Sequence, residues 1–418
     1  MKSGAKNAQP RFWLARRRHV PNWLAIAAIL ATLILLHFHN PGIGRWFGSW
    51  ESQYYVHAVT GPLVAPIDKH YGYRLLPAVI LGYIPLSISE GFIVCDYVSL
   101  FLAAYLLFTI LCCEGIIPTI ALLGSFIFLT APCSTQWLLA YSANVDAFYL
   151  LLIAASYRAI QLRRWELFSF VLLIGTFTKV TIWVMAFVAA ASIMTDPKQA
   201  ASPGRRKLSA VFWLAALVPS VLVKFLVERI WPATGSYSYL RDIAHNLKLK
   251  FFVTSVTFPH LPQIAEFPAS FLVVFGIVAI VFALHFRLML HSFREKPALI
   301  VFLVGTMGLS FAGGYDDARY MPFVAVPVLY VFADILQKNL DMYARPWMLG
   351  YIVVATLILS DLLNPDPANY ERYMPHYASW ASEAPFLLYW TGLLAAGFVL
   401  KSLTTRYARG SANPACFR

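Results

Sequence analysis

Two stretches of the chain gather side chains able to move a proton or grip an anion. The first runs Trp50-Glu51-Ser52-Gln53-Tyr54-Tyr55, passes through Gly61-Pro62 and Ile67-Asp68, and ends at Tyr71-Gly72-Tyr73-Arg74-Leu75-Leu76-Pro77. Written on a helix, Trp46, Trp50 and Tyr54 share one face while Glu51 and Tyr55 share another. An interfacial helix of that kind dips its aromatics into lipid and holds a carboxylate at the membrane surface. The second stretch, Tyr315-Asp316-Asp317-Ala318-Arg319-Tyr320-Met321-Pro322, abruptly interrupts two apolar runs. A carboxylate such as Glu51 or Asp68 suits general base work. Arg74 and Arg319 each offer a planar fork to a phosphate, and Arg319 alternatively pairs with an Asp at a helix start. Adjacent acids also suit a divalent cation, but no third ligand is in view and no metal is expected.

Lys179 lies between two apolar runs, in Thr176-Phe177-Thr178-Lys179-Val180-Thr181. A charge at mid-bilayer costs about 2.5 to 3.5 kcal/mol on insertion scales, which makes such a lysine a functional candidate. Loop alternation places it at an outward turn. Asn144 and Asp146 read as N-caps, and Lys224 and Asp334 as interface anchors. Asp96 is unassigned. Gly42 to Gly48 has the wrong spacing and no preceding strand for a phosphate loop, so it reads as a turn.

The elements that must position these residues are apolar. Of 418 residues, 59% are hydrophobic and 13% charged, against about 25% charged in soluble domains. Runs at 23–39, 75–90, 93–113, 116–131, 146–162, 165–178, 180–195, 208–227, 269–286, 298–313, 321–337, 347–363 and 385–400 predict an all-α, polytopic membrane protein of about 11 to 13 transmembrane helices. It divides into a basic N-terminus (1–22), one transmembrane domain (23–400) with outer loops 40–74, 228–268, 314–320 and 364–384, and a basic tail (401–418). In/out alternation holds from Asp146 onward. Before it, three runs lie where an even number is required, and the Ser87-Ile88-Ser89-Glu90-Gly91 interruption points to the first two as a re-entrant or broken pair.

The net charge of +13 sits at loop positions that orient the protein: both termini and the segments 158–164, 198–207, 287–296 and 338–345 hold 22 of the 33 basic residues. The positive-inside bias then predicts cytoplasmic N- and C-termini, with the excess charge meeting anionic headgroups and no nucleic acid. The five cysteines have no Cys-x-x-Cys spacing and read as small buried hydrophobes.

The order of an acid followed by Gln53-Tyr54-Tyr55, then Gly61-Pro62, Asp68 and Tyr73-Arg74 entering the next apolar run resembles a bacterial family of multi-pass proteins tied to cell-surface glycopolymer formation. That family in turn resembles the GT-C glycosyltransferases. The resemblance covers Trp50 to Pro77, with Glu51-Ser52 standing where the family usually has Asp-Gly. It implies a GT-C-like fold and transfer of a sugar from a polyprenyl-phosphate donor to a cell-envelope glycan or lipid on the outer face, with Glu51 or Asp68 as base. Joined to the residues above, the candidate substrate-binding set is Gln53, Tyr54, Tyr55, Tyr73, Arg74, Lys179, Asp317, Arg319 and Tyr320. The partners expected are the lipid-linked sugar, its acceptor and membrane lipids, with no cofactor beyond the donor. A lipid-glycan carrier or flippase, or a non-catalytic assembly subunit, stands as the alternative.

Overall fold

The computed structural model describes residues 21–39, 42–44, 53, 55–56, 80–195, 203–230, 244, 263–313, 317–360 and 380–412. Among these every regular element is helical. The larger helices are α1 (Asn22–His39), α2 (Ile88–Cys113), α3 (Pro118–Thr130), α4 (Asp146–Leu162), α5 (Trp165–Thr176), α6 (Val184–Thr195) and α7 (Pro203–Ile230). They continue with α8 (Gln263–Val274), α9 (Gly276–Leu284), α10 (Phe286–Glu295), α11 (Pro297–Gly313), α12 (Ala325–Lys338), α13 (Pro346–Leu359) and α14 (Trp380–Ala412). Among the described residues five helices are long and apolar enough to cross a bilayer, or seven if two bent pairs each form one span. Four further apolar helices have only 10 to 17 residues, so the larger number read from the sequence mixes full spans with short ones. Their lipid-side leucines, valines and phenylalanines remain exposed, as expected where the solvent is hydrocarbon.

The first run of the suspected pair, 75–90, is described from residue 80 onward. Residues 80–82 form one helical turn, the chain bends through 83–86, and Ser87 starts α2. The Ser87 hydroxyl oxygen accepts from the Glu90 backbone N–H at 3.3 Å, while a Glu90 carboxylate oxygen accepts from the Ser87 backbone N–H at 3.1 Å. This capping box supplies acceptors to donors that the helix start leaves unpaired. The Ser87-Ile88-Ser89-Glu90-Gly91 interruption is therefore a helix start, while residues 75–79 lie outside the described residues.

Helices α2, α3 and α4 form the centre, with α1 laid across α2 and α3, α5 beside α4 and α7, and α6 against α11. Their apolar faces share one core that includes Leu100, Leu111, Leu129, Phe168 and Phe332. At one end of the bundle polar groups interlock. Lys296 pairs with Glu114, which also accepts from the Gln161 amide at 2.6 Å. The Gln337 side chain accepts from the Ile117 backbone N–H at 2.7 Å and donates to the Gly115 carbonyl at 3.1 Å. Asp334 accepts from the Ser292 hydroxyl at 2.5 Å and pairs with Lys338 at 2.8 Å, which also reaches Glu295. Burial pushes the Lys296 ammonium below its ordinary pKa, opposed by the Asp334 carboxylate. Here α9 and α10 meet at 98°, and α10 exposes Phe286, Arg287, Leu290 and Arg294 while burying Ser292. That pattern suits a helix lying along a headgroup layer.

The opposite end is built from helix interruptions. α3 runs into a π-helical turn at Pro132–Gln136 and then a short helix, Trp137–Ala140. Residues 42–44 form the expected turn, with Gly44 at φ +68° and its N–H donating to the Leu139 carbonyl at 2.9 Å. An L side chain is strained at that φ, which explains glycine there.

Removing the cap tests the α2 start. Ser87→Ala is expected to cost about 1 kcal/mol of stability, read as a lower unfolding temperature in detergent, and a Glu90→Gln control retaining an acceptor should cost less.

Candidate functional site

The interrupted end encloses a buried charge cluster. Asp146, with no exposed surface, is the first helical residue of α4, and its carboxylate stands where a helix N-terminus favours an anion. One carboxylate oxygen accepts from the Lys179 ammonium at 3.0 Å, and the other accepts from the Arg319 guanidinium Nε–H. Both cations are themselves buried, at 7% and 6% exposure. Leaving any of the three alone would strand a charge out of water, so each fixes the others.

Three separate segments deliver these side chains. Asn144 holds the turn before α4: its side-chain oxygen accepts from the Asp146 backbone N–H at 2.7 Å, and its amide donates to the Tyr141 carbonyl. Asn144 thus acts at the helix start as expected. Asp146 does not, since no side chain caps α4 at its N-cap, Val145, and the Asp146 carboxylate instead faces the cations.

Lys179 comes from the break between α5 and a 3-10 turn, Val180–Trp183. The turn folds back so closely that a Cβ on Gly175 would lie 2.6 Å from Ile182 Cγ1, and the Lys179 backbone N–H donates to the Gly175 carbonyl at 2.7 Å. Arg319 comes from a single turn, Asp317–Tyr320, packed on the π turn and α8.

Aromatic rings wall the cluster. The Lys179 ammonium lies 4.5 Å from the centroid of the Tyr320 ring, 4.7 Å from Phe323 and 5.5 Å from Tyr149. Arg319 stands 5.1 Å from the Trp137 ring. Ring faces attract cations more strongly where water is excluded, so the box favours keeping both charges in place. The Thr181 hydroxyl donates to the Tyr149 hydroxyl oxygen at 2.8 Å, tying the 3-10 turn to α4.

Asp96 of α2 is also buried, within electrostatic reach of Asp146, and its Oδ2 has no partner among the described residues. Ser142 and Thr135 likewise carry buried hydroxyls without partners among the described residues.

Of the candidate residues read from the sequence, Lys179, Arg319 and Tyr320 come together. Tyr55 joins them at one remove: it is 1% exposed and packs in a small cluster with Leu81, Phe92, Ala143 and Val145, next to Asp146. Gln53 is helical and exposed. Glu51, Tyr54, Asp68, Tyr73 and Arg74 lie outside the described residues, as does the Asp317 side chain. Lys224 is half-buried with its ammonium 5.5 Å from the Trp183 ring centroid. Cys113 is exposed and Cys95 and Cys112 are half-buried, so the small-buried-hydrophobe reading fits them only in part. Among the described residues no three His, Cys, Asp or Glu side chains converge as metal ligands.

No family model matches the chain, and no curated protein matches it.

The shared carboxylate makes a testable demand. Asp146→Asn strands both cations and is expected to cost about 3 to 5 kcal/mol. Adding Lys179→Met removes one stranded charge, so the double variant should unfold at no lower temperature than Asp146→Asn alone. Strictly additive losses in detergent unfolding would show that the two residues act independently.

Proposed function

We propose that the protein is a GT-C-like membrane glycosyltransferase, moving a sugar from a polyprenyl-phosphate donor to a cell-envelope glycan or lipid on the outer face of a bacterial inner membrane. The observation that carries this reading is the convergence of Lys179 and Arg319 on Asp146, beside the buried Tyr55 of the Glu51 to Tyr55 stretch. The cluster lies at the bundle end opposite the loops flanked by Arg158, in the last turns of α4, by Lys296 and by Lys338, the last residue of α12. With those loops cytoplasmic under the positive-inside bias, as the termini would also be, the cluster faces outward.

In the proposed reaction the acceptor hydroxyl oxygen bonds to the anomeric carbon of the donor sugar. The bond from that carbon to the carrier phosphate breaks, and its electron pair leaves on the phosphate oxygen. Glu51 or Asp68 takes the hydroxyl proton. Negative charge growing on the leaving phosphate is met by fixed cations, for which Arg74, Arg319 and Lys179 are the candidates. Gln53, Tyr54, Tyr73 and Tyr320 would line the sugar's path, and Asp317 would position the Arg319 turn.

One observation favours a carrier instead. Asp96 is an ionisable group buried within a span, and the neighbouring α3 path is broken by a π turn, features that transport sites also use. Replacing the base by its amide separates the readings. Glu51→Gln or Asp68→Asn should lower glycan product at least about 10²-fold at unchanged protein level. Product formation intact in both variants favours the carrier. A cysteine at Ser52 should react with an impermeant thiol reagent in intact spheroplasts after native cysteines are removed, and labelling only after permeabilisation would invert the topology.

A further inference from the structure

Asp96 lies about 12 Å along the α2 axis from the helix start. It is 2% exposed, on the helix face that also buries Phe92, Ser99, Leu100 and Ala103. Helix α2 packs along α4, and Phe92 shares a cluster with Ala143 and Val145 of the turn that precedes Asp146. The Asp96 carboxyl group is within electrostatic reach of Asp146, yet its Oδ2 is sealed in the interior with no partner among the described residues. The same turn carries the Ser142 hydroxyl, buried and equally without a partner among the described residues. The proposed sugar transfer makes no use of Asp96.

No cation pairs with Asp96 among the described residues. From α4 the facing helix start presents Asp146, a like charge, with Tyr149 one turn on. Helix α3, which also packs on α2, has no titratable side chain, and neither has the short helix Trp137–Ala140. The Tyr141 ring that follows stacks on Trp137, and Tyr55 packs with Phe92. Helix α1 offers His37, whose ring Nδ1 pairs with the Tyr97 hydroxyl at 2.7 Å. On α12, Asp334 and Lys338 pair with each other at the far end of the bundle. Cys95 and Tyr97 flank Asp96 on α2 itself, and Lys179 and Arg319 both hold Asp146.

A carboxylate taken out of water with no cation beside it neutralises instead of staying charged. A second carboxylate nearby disfavours the charge further. A divalent metal ion needs several oxygen ligands, whereas Oδ2 is sealed and no three acidic, His or Cys side chains converge among the described residues. A proton needs neither space nor a coordination shell. We propose that Asp96 is a proton-binding site within α2, its carboxyl held as the neutral acid while Asp146 stays the anion that Lys179 and Arg319 share. Releasing that proton sets a second anion against Asp146, so proton occupancy at Asp96 is linked to the grip on the two cations. The site stands whichever of the enzyme and carrier readings holds, because it requires no substrate.

The test is infrared spectroscopy of the full chain in detergent at neutral pH, comparing wild type with Asp96→Asn. An ordinary aspartate under those conditions is neutral in only about one molecule in 10³. Wild type should nevertheless show a neutral-acid carbonyl band that moves to lower frequency in heavy water and is lost in Asp96→Asn. Loss of a carboxylate band instead overturns the proposal. Should Asp96→Asn misfold, Asp96→Glu decides, made alongside wild type with aspartate carrying heavy carbon in its side-chain carboxyl. The label should shift the neutral band in wild type, and the shifted band should disappear in Asp96→Glu. A shifted band that survives in Asp96→Glu assigns the proton to another aspartate and overturns the site, as does the absence of any neutral-acid band from wild type.

Discussion

A carboxylate with no exposed surface holds two cations that reach it from 33 and 173 residues away, and much of the interrupted end of the bundle follows from that arrangement. Buried away from water, each of the three charges is costly without the others. The α4 start, the α5 to α6 turn and the Asp317–Tyr320 turn must therefore meet, and the residues around them are chosen to let them do so. Gly175 admits Ile182, Asn144 holds the backbone ahead of Asp146, and Trp137, Tyr149, Tyr320 and Phe323 give the cations ring faces in place of water.

The other end of the same helices obeys a different logic. There the pairs are half-exposed, made through long flexible side chains, and reinforced by amides such as Gln161 and Gln337. Such contacts tie loop ends together without committing the bundle to one rigid geometry. Both ends set cations against rings, Lys179 at 4.5 Å from the Tyr320 centroid and Lys296 at 4.5 Å from that of Tyr330, but Lys179 and Arg319 are buried while Lys296 and Lys338 keep about a third of their side-chain surface exposed. The asymmetry fits a protein whose two faces meet different chemistry.

The apolar runs and the all-helical class were readable directly, because hydropathy is a local property. Lys179 and Arg319 were also readable, since a charge flanked by apolar residues announces its cost. Their shared partner was not. Asp146 follows Asn144 at a helix start, where a cap is the ordinary explanation, and sequence spacing carries no sign of contacts 33 and 173 residues distant. The opposite holds for the odd run before Asn144: Ser87-x-x-Glu90 is a capping box, and reading it would have started α2 at its observed place. The apolar run 269–286 divides at Phe275 into α8 and α9, a break inside a continuous apolar stretch that hydropathy does not register.

The brevity of α5 has its own consequence. Its 12 residues rise only about 18 Å, against a hydrocarbon layer of about 30 Å. If Trp165 and Arg164 rest at one headgroup plane, the helix ends well before the other. The surrounding bilayer must then pinch inward, or water must enter a vestibule above the turn. Either way the polar surface is brought down to the protein, and an amphiphile diffusing in that leaflet meets the recess without lifting its headgroup out of the membrane.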